Sequence, residues 1–418
     1  MATNIKKDIQ VYAHWQELQQ PSLMGVLSVS FAKGKESFSF AYADAWLKSG
    51  FSQMMDPDLQ LYSGSYYPRN DTSNFGIFLD SCPDRWGRVL MQRREAAVAK
   101  QEGRAVKKLL ESDFLLGVFD AHRMGALRFK TEEAGAFLND NKEMAAPPWT
   151  SLRELEYASL KFEEDDTHDP AYLKWLSMLI APGSSLGGAR PKASIVDADN
   201  NLWIAKFPSR NDDKDIAAWE MVVNKLAINA GLNVAEGKLQ QFNSKYHTYL
   251  TKRFDRTVHN KRIHFASAMT LLGHVDGEDA AGASYLELME FISRYGAAVE
   301  KDLEELWRRI VFNICIKNTD DHLRNHGFLL TGKGWLLSPA YDINPNEYGK
   351  GLSINITDAD NSLDLNVARE VSRYFRLSDK KASRIIQKIS TTIKDWKKIA
   401  AAYKISKAEQ ERMEGAFN

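Results

Sequence analysis

The sequence predicts an α+β fold: a β-rich opening, a middle stretch of paired strands around a glycine-rich loop, and a helical C-terminal part. Three observations lead there. Residues 9–12, 24–31 and 38–42 are short runs of β-forming residues separated by polar turns. Residues 193–196 and 202–207 flank Asp197-Ala198-Asp199-Asn200-Asn201 as the strands of a hairpin do. Val299, Leu303, Leu306, Trp307, Ile310, Val311, Ile314 and Cys315 recur at helical spacing, and residues 367–375, 382–396 and 406–417 continue that periodicity.

Composition sets the outer bounds. A chain of 418 residues has room for two or three domains, and 44% apolar with 26% charged residues is the make-up of a soluble globular protein. Lys plus Arg and Asp plus Glu both number 55, so nothing global argues for nucleic acid or an anionic membrane, although a local basic patch stays open. Cys82 and Cys315 are the two cysteines, and no stretch is apolar and long enough for a membrane span or a signal peptide. A reducing, cytoplasmic compartment without disulfides is the expectation.

Taken in order, Ser81-Cys82-Pro83-Asp84-Arg85-Trp86-Gly87-Arg88 introduces a helix over 89–100, with Pro83 suited to its start and the Arg and Trp read as structural anchors. Residues 105–117 read as helix, 124–129 as a returning strand, and 132–148 as a polar surface connection. A helical segment over 171–180 leads to Ala181-Pro182-Gly183-Ser184-Ser185-Leu186-Gly187-Gly188-Ala189-Arg190-Pro191-Lys192. Backbone amides in such a loop can approach phosphates closely. It is no Walker A motif, because the Gly-Lys-Ser/Thr ending is missing and a strand follows. Lys206 falls late on the second strand of the hairpin, where it either clamps nucleotide phosphates or lies in solvent. Residues 215–230 form an amphipathic helix ending near Gly231; its Glu220 either pairs with Lys206 or sits on a solvated face. Residues 246–251 read as a strand running into Lys252-Arg253-Phe254-Asp255-Arg256.

The chemistry concentrates in Asn318-Thr319-Asp320-Asp321-His322-Leu323-Arg324-Asn325-His326-Gly327. A buried helix delivers the chain to this loop, and a hairpin over 328–337 turning at Thr331-Gly332-Lys333-Gly334 carries it on to Ser338-Pro339-Ala340-Tyr341-Asp342. Phosphoryl transfer to a hydroxyl needs a carboxylate to orient it and take its proton, a role for Asp320. Mg2+ wants oxygen ligands, which Asn325 and Asp342 offer. Helix, Asp loop, Asn, hairpin, second Asp is the order in which protein kinases set out these groups. The competing account makes Asp320, Asp321 and Asn325 ordinary turn and cap residues.

On these residues the chain resembles the HipA family of serine/threonine kinases, toxins of bacterial type II toxin-antitoxin modules. The resemblance rests on Ser184 to Lys192, Lys206, the Lys-Arg-Phe-Asp-Arg run at 252–256, Asn318 to Asn325 and Ser338 to Pro345, with the runs from Asp80 and Gly125 in support. It implies a kinase-like two-lobed fold: a β-rich N-terminal subdomain over 1–145, a small lobe over 146–258 and an all-helical C-terminal lobe over 259–418. It implies ATP and Mg2+ as cofactors. Asp320 would be the catalytic base, with Asn325 and Asp342 as metal ligands. Lys206 would be the phosphate clamp, and Phe254 a neighbour of the adenine. Ser185, Gly187, Gly188, Lys192, Lys252 and His322 complete the nucleotide site. Ser185 matches the serine whose autophosphorylation silences family members, with Ser184 and Ser194 as rivals; Pro191, where some members carry a polar residue, makes the loop stiffer. The implied target is a protein serine, with an aminoacyl-tRNA synthetase the leading type, and the implied outcome is growth arrest and persistence. The implied partner is a HipB-like helix-turn-helix antitoxin, which holds the kinase on operator DNA. Two other readings stay open: a small-molecule or lipid kinase, and a catalytically idle corepressor. The lysines at 380, 381, 388, 394, 397 and 398 either face DNA or form a solvated helix face.

Overall fold

The computed structural model describes residues 5–32, 34–69, 72–142, 145–164, 175, 176, 179, 190–275 and 282–417. Most of the expected helix at 171–180 lies outside them, as does the glycine-rich loop with Ser184, Ser185, Gly187 and Gly188. The chain forms two compact units, Met1–Arg210 with Asp255–Ala266, and Asn211–Phe254 with Ser267–Asn418.

The first unit opens with an antiparallel sheet of β1 (Ile5–Ala13), β2 (Ser22–Ala32), β3 (Lys35–Tyr42), β4 (Ser65–Tyr66) and β5 (Leu127–Lys130), in the order β4-β3-β2-β1-β5. Alternation selects its inner face. Ile9, Val11, Ala13, Leu27 and Phe40 are completely buried, whereas Asp8 and Ser28 bond each other on the opposite face. Phe40, Phe75, Phe78 and Phe129 pack edge to face or tilted beneath it, at ring separations from 5.5 to 6.5 Å. The following helix is Arg85–Glu102, starting earlier than the expected residue 89 because Asp84 caps it, accepting from Gly87 N at 2.8 Å. Of the stretch expected to be helical at 105–117, Glu111–Gly117 alone is an α-helix. Residues 104–108 are exposed with no apolar face to bury, and the Lys107 amide donates to Glu95 instead.

Leu152–Glu163 is a helix the sequence reading did not anticipate, burying Leu152, Leu155, Ala158 and Phe162. The hairpin does form, as Lys192–Val196 and Leu202–Lys206, with Lys192 opposite Lys206. Asp197 sets its turn by accepting from Asn201 and from the Trp203 indole at 2.8 Å. Two sequence runs meet inside this unit: Asp255 accepts from the Gly125 amide at 2.8 Å, at a glycine whose φ is +70°. Arg123, fully buried, donates to the carbonyls of Ser81, Leu115, Val118 and Leu138.

The second unit is mostly helical. Ile216–Ala230 is buried nearly all round and ends at Gly231 in the left-handed region. Tyr285–Tyr295 and Val299–Ile316 precede a hairpin, Gly327–Thr331 with Gly334–Leu337, and Leu365–Val371, Asp379–Ile393, Trp396–Ala402 and Lys407–Met413 complete the helical set. Trp219, Tyr285, Trp307 and Phe312 are among its fully buried side chains. Truncating any one of these aromatics to alanine costs about 3–5 kcal/mol. The Trp307 indole donates to Ala368 O at 2.9 Å, which fixes helix Leu365–Val371 over the central helix. The lysines at 380, 381, 388, 394, 397 and 398 are exposed; Lys381 pairs with Glu304 and Lys397 with Glu414. No helix among the described residues is long and apolar enough to cross a membrane, and Cys82 and Cys315 are both buried and unbridged.

Candidate active site

The central helix Val299–Ile316 delivers the loop as expected. It ends at Lys317, a non-glycine residue with φ +50°, and Asn318 N returns to Asn313 O at 2.9 Å. Two bonds tie the same helix to the chain beyond the hairpin: Asp302 accepts from Leu337 N at 2.9 Å, and Arg309 donates to Ser338 O at 2.6 Å. Both halves of the site thus hang from one rigid element.

Asp321 is the loop's anchor. It is buried, and it accepts from Asn313 Nδ2 at 2.8 Å, from His326 Nε2 at 3.0 Å and from the Tyr285 hydroxyl. Burial alone would raise its pKa; the charge and hydrogen bond of His326 and the Tyr285 hydroxyl overcome that and hold it below the ordinary value. Asp320 is the opposite case. It is exposed as a residue, but its carboxyl is partly shielded from water, and this desolvation raises its pKa; Asp342 and Asp321 add to the rise, while His322 opposes it. One loop therefore carries a fixed, ionised carboxylate beside an accessible one with greater proton affinity.

Asn325 is held by its amide nitrogen, which donates to Asp320 O at 2.8 Å. Its Oδ1 is buried and accepts no hydrogen bond. A buried amide oxygen left bare in this way costs free energy unless another donor or a cation meets it. Asp342 is half-buried, near enough to Asp320 to raise its pKa, and sits at φ +55°, a conformation that costs a non-glycine residue about 1–3 kcal/mol and is concentrated at functional sites. Asn344 donates to it at 3.2 Å. No group of three or more His, Cys, Asp or Glu that could hold a metal stands among the described residues.

Phe254 packs against Tyr341, with ring centroids 5.5 Å apart, and the Tyr341 hydroxyl donates to Arg324 O at 2.7 Å, linking this aromatic pair to the loop. Lys252 is half-buried at the end of strand Thr248–Lys252. Glu220 is 5% exposed, which corrects the solvated-face alternative, and it lines a cavity of about 10 Å³ with Tyr249, Tyr341 and Asp342, room for about one water. In the first unit, Lys206 is half-buried on its strand. Lys192 is buried, and its ammonium meets Asp84 at 2.9 Å while its carbonyl accepts from the Trp86 indole at 3.0 Å. The run around Trp86 is thus a structural anchor, and it fastens the strand that follows the glycine-rich loop.

Sequence reasoning missed the residues that steady the loop. Tyr285, Asn313 and His326 carry no motif, but Ser284 and Glu287 form a capping box, a readable signal for the helix that brings Tyr285 into place.

Residues 184–396, just over half of the 418, match the family model described as the HipA-like C-terminal domain. A Haemophilus influenzae protein named "Putative kinase" is 26% identical over 179 residues, 38% of this chain and 52% of its own length. A Sinorhizobium fredii protein with a like name is 26% identical over 183 residues, 38% of this chain and 41% of its own. The chain thus spans about half the length of the curated relatives it matches. A chain from the Shewanella oneidensis toxin-antitoxin complex of HipA, HipB and operator DNA superposes with a TM-score of 0.63 at 19% identity, covering 98% of this chain and 94% of that one. The α+β fold expected from the sequence is the fold of that chain. With more than half its length matched, this protein belongs to the HipA-like C-terminal domain family.

Proposed function

We propose that this protein is an ATP- and Mg2+-dependent serine/threonine protein kinase and the toxin of a toxin-antitoxin pair. The observation that carries the reading is Asn325: its nitrogen is spent on Asp320 O, and its buried oxygen accepts no hydrogen bond. That leaves an oxygen of the kind a hard cation takes, on the same loop as Asp320. Asn325 and Asp342 would hold Mg2+, which when bound neutralises charge on nucleotide phosphates. Asp320 orients the attacking hydroxyl and takes its proton onto the carboxylate. Its raised pKa makes it a better acceptor than an ordinary aspartate. Asp321 keeps the loop in register without sharing that proton. Lys206 holds the phosphates; Phe254 flanks the adenine; Lys252 and His322 border the nucleotide. Ser185, Gly187 and Gly188 cover the phosphates, and phosphorylation of Ser185 silences the enzyme. The ammonium of Lys192 is better assigned to Asp84.

The target is a protein serine, an aminoacyl-tRNA synthetase being the leading type, and the expected setting is the cytoplasm. The partner is a HipB-like helix-turn-helix protein on operator DNA, in keeping with the Shewanella complex. ADP release from ATP in the presence of Mg2+ tests the reading. The parent should turn ATP over, and Asp320→Asn should bind ATP with turnover about 100-fold or more lower. Undiminished turnover in Asp320→Asn would refute the assignment, and failure of the parent to bind ATP would favour the idle corepressor.

A further inference from the structure

The first unit contains a cavity of about 630 Å³, a size usual for small-molecule sites, and none of the proposed kinase residues lines it. Three arginines stand in its wall. The side chains of Arg128, Arg256 and Arg262 are 19%, 5% and 9% exposed. Arg128 is bidentate on Asp120, at 3.1 Å from Nε to Oδ1 and 2.5 Å from a terminal nitrogen to Oδ2, and Arg262 reaches the same carboxylate at 3.3 Å. Arg256 bonds Asp255 at 2.6 Å and Arg123 O at 2.8 Å. These bonds hold the guanidinium groups in place before any ligand arrives.

The charge does not balance. Arg128, Arg256, Lys261 and Arg262 line the cavity against Glu17 and Asp120, leaving two cations in excess. Asp255 and Arg123, which stand next to this lining, add one charge of each sign. Burial holds Arg262 down to about 10, and the charges of Arg128 and Arg123 press the same way against Asp120. His14 accepts from Arg128 at 3.2 Å through Nδ1; because a guanidinium only donates, the ring's proton sits on Nε2. Trp15, Leu18 and Leu202 supply apolar surface.

We propose that this cavity binds a small organic phosphate, its dianion held by Arg128, Arg256, Arg262 and Lys261 and its organic part against Trp15. A phosphate monoester carries about −1.5 to −2 charges at pH 7, which matches the excess; Arg128 and Lys261 have N–H groups to offer its oxygens, while Arg256 and Arg262, whose terminal nitrogens already donate to Asp255, Ala121, Arg123, Gly125 and Asp120, attract it through their charge. A carboxylate supplies half that charge.

Phenyl phosphate titrated into the full chain by calorimetry, with the His14 ring followed by NMR, tests the proposal. Saturable binding with a shift of the His14 resonances is expected. Affinity should fall at least about tenfold in Lys261→Glu, an exposed position whose thermal unfolding should stay at the parent's temperature. Asp342→Asn should bind phenyl phosphate as the parent does. The proposal is overturned by absence of saturable binding, by equal affinity in Lys261→Glu, by loss of binding in Asp342→Asn, which would place the ligand at the kinase site, or by phenylacetate binding as tightly as phenyl phosphate.

Discussion

Replacing Lys192 with methionine separates a structural lysine from one that serves a nucleotide. Lys192 and Asp84 form an ion pair at 2.9 Å with side chains 5% and 2% exposed. Removing the cation strands a carboxylate whose remaining described bond is from Gly87 N at 2.8 Å. Breaking a buried pair from one side costs about 3–5 kcal/mol, against about 0–1 for an exposed pair. The pH dependence has a definite sign. Burial already raises the Asp84 pKa in the parent, outweighing the pull of Lys192, and loss of that pull raises it further. A carboxyl whose folded pKa lies above its unfolded value contributes stability that is full below the unfolded pKa and lost as pH rises through the folded one. The deficit of Lys192→Met should therefore be largest near pH 8 and shrink toward pH 5. Adding Asp84→Asn, which still caps the helix but carries no charge, should recover about 2 kcal/mol at the higher pH. Urea unfolding followed by tryptophan fluorescence measures all three proteins. A deficit below about 1 kcal/mol, or one that does not change with pH while ATP affinity collapses, would show that the pair is not what fastens Lys192.

Other consequences are read more simply. Asn325→Ala should raise the Mg2+ concentration needed for half-maximal turnover by about 10- to 100-fold while ATP-independent stability falls by no more than about 1–2 kcal/mol; equal Mg2+ dependence would remove Asn325 from the metal site. Tyr285→Phe should cost about 1–3 kcal/mol, because Asp321 loses a hydroxyl donor in a dry setting. Since the Asp321 pKa is depressed, its contribution is present above the unfolded carboxyl value and lost as pH falls toward the folded one, so the loss in Tyr285→Phe should narrow in acid unfolding curves. Asp56 has the opposite sense: burial raises it to about 7, and its contribution fades as pH rises through that value. Asp56→Asn should accordingly gain on the parent between pH 6 and pH 8, and a constant difference across that range would contradict the assignment.

The sequence made the hairpins and the central helix legible because each obeys one local rule. Period-two runs around Asp197-Ala198-Asp199-Asn200-Asn201 and around Gly332-Lys333 can close in only one register, and the 299–315 stripe has one helical face to bury. Helix Leu152–Glu163 carries the same kind of stripe, but Pro147 and Pro148 just before it are a loop signal. Residues 105–110 show the reverse: helix formers lie outside any helix, and 104–108 are exposed with no apolar face to bury. The order of Asp320, Asn325 and Asp342 along the chain was legible. Their support was not. Tyr285 reaches Asp321 from a helix far upstream, and no local pattern records a hydrogen bond across 36 positions. Glu220 on a helix buried nearly all round, and Lys192 drawn away to Asp84, likewise depend on packing that spacing does not encode.

The kinase assignment is tested most directly by intact mass and phosphopeptide mapping of dephosphorylated protein after incubation with ATP and Mg2+, beside Asp320→Asn and Asp342→Asn. The assignment requires one added phosphate at Ser185 in the parent and none in either variant. Phosphate appearing equally in Asp320→Asn, or a parent that binds ATP and gains none, would contradict it.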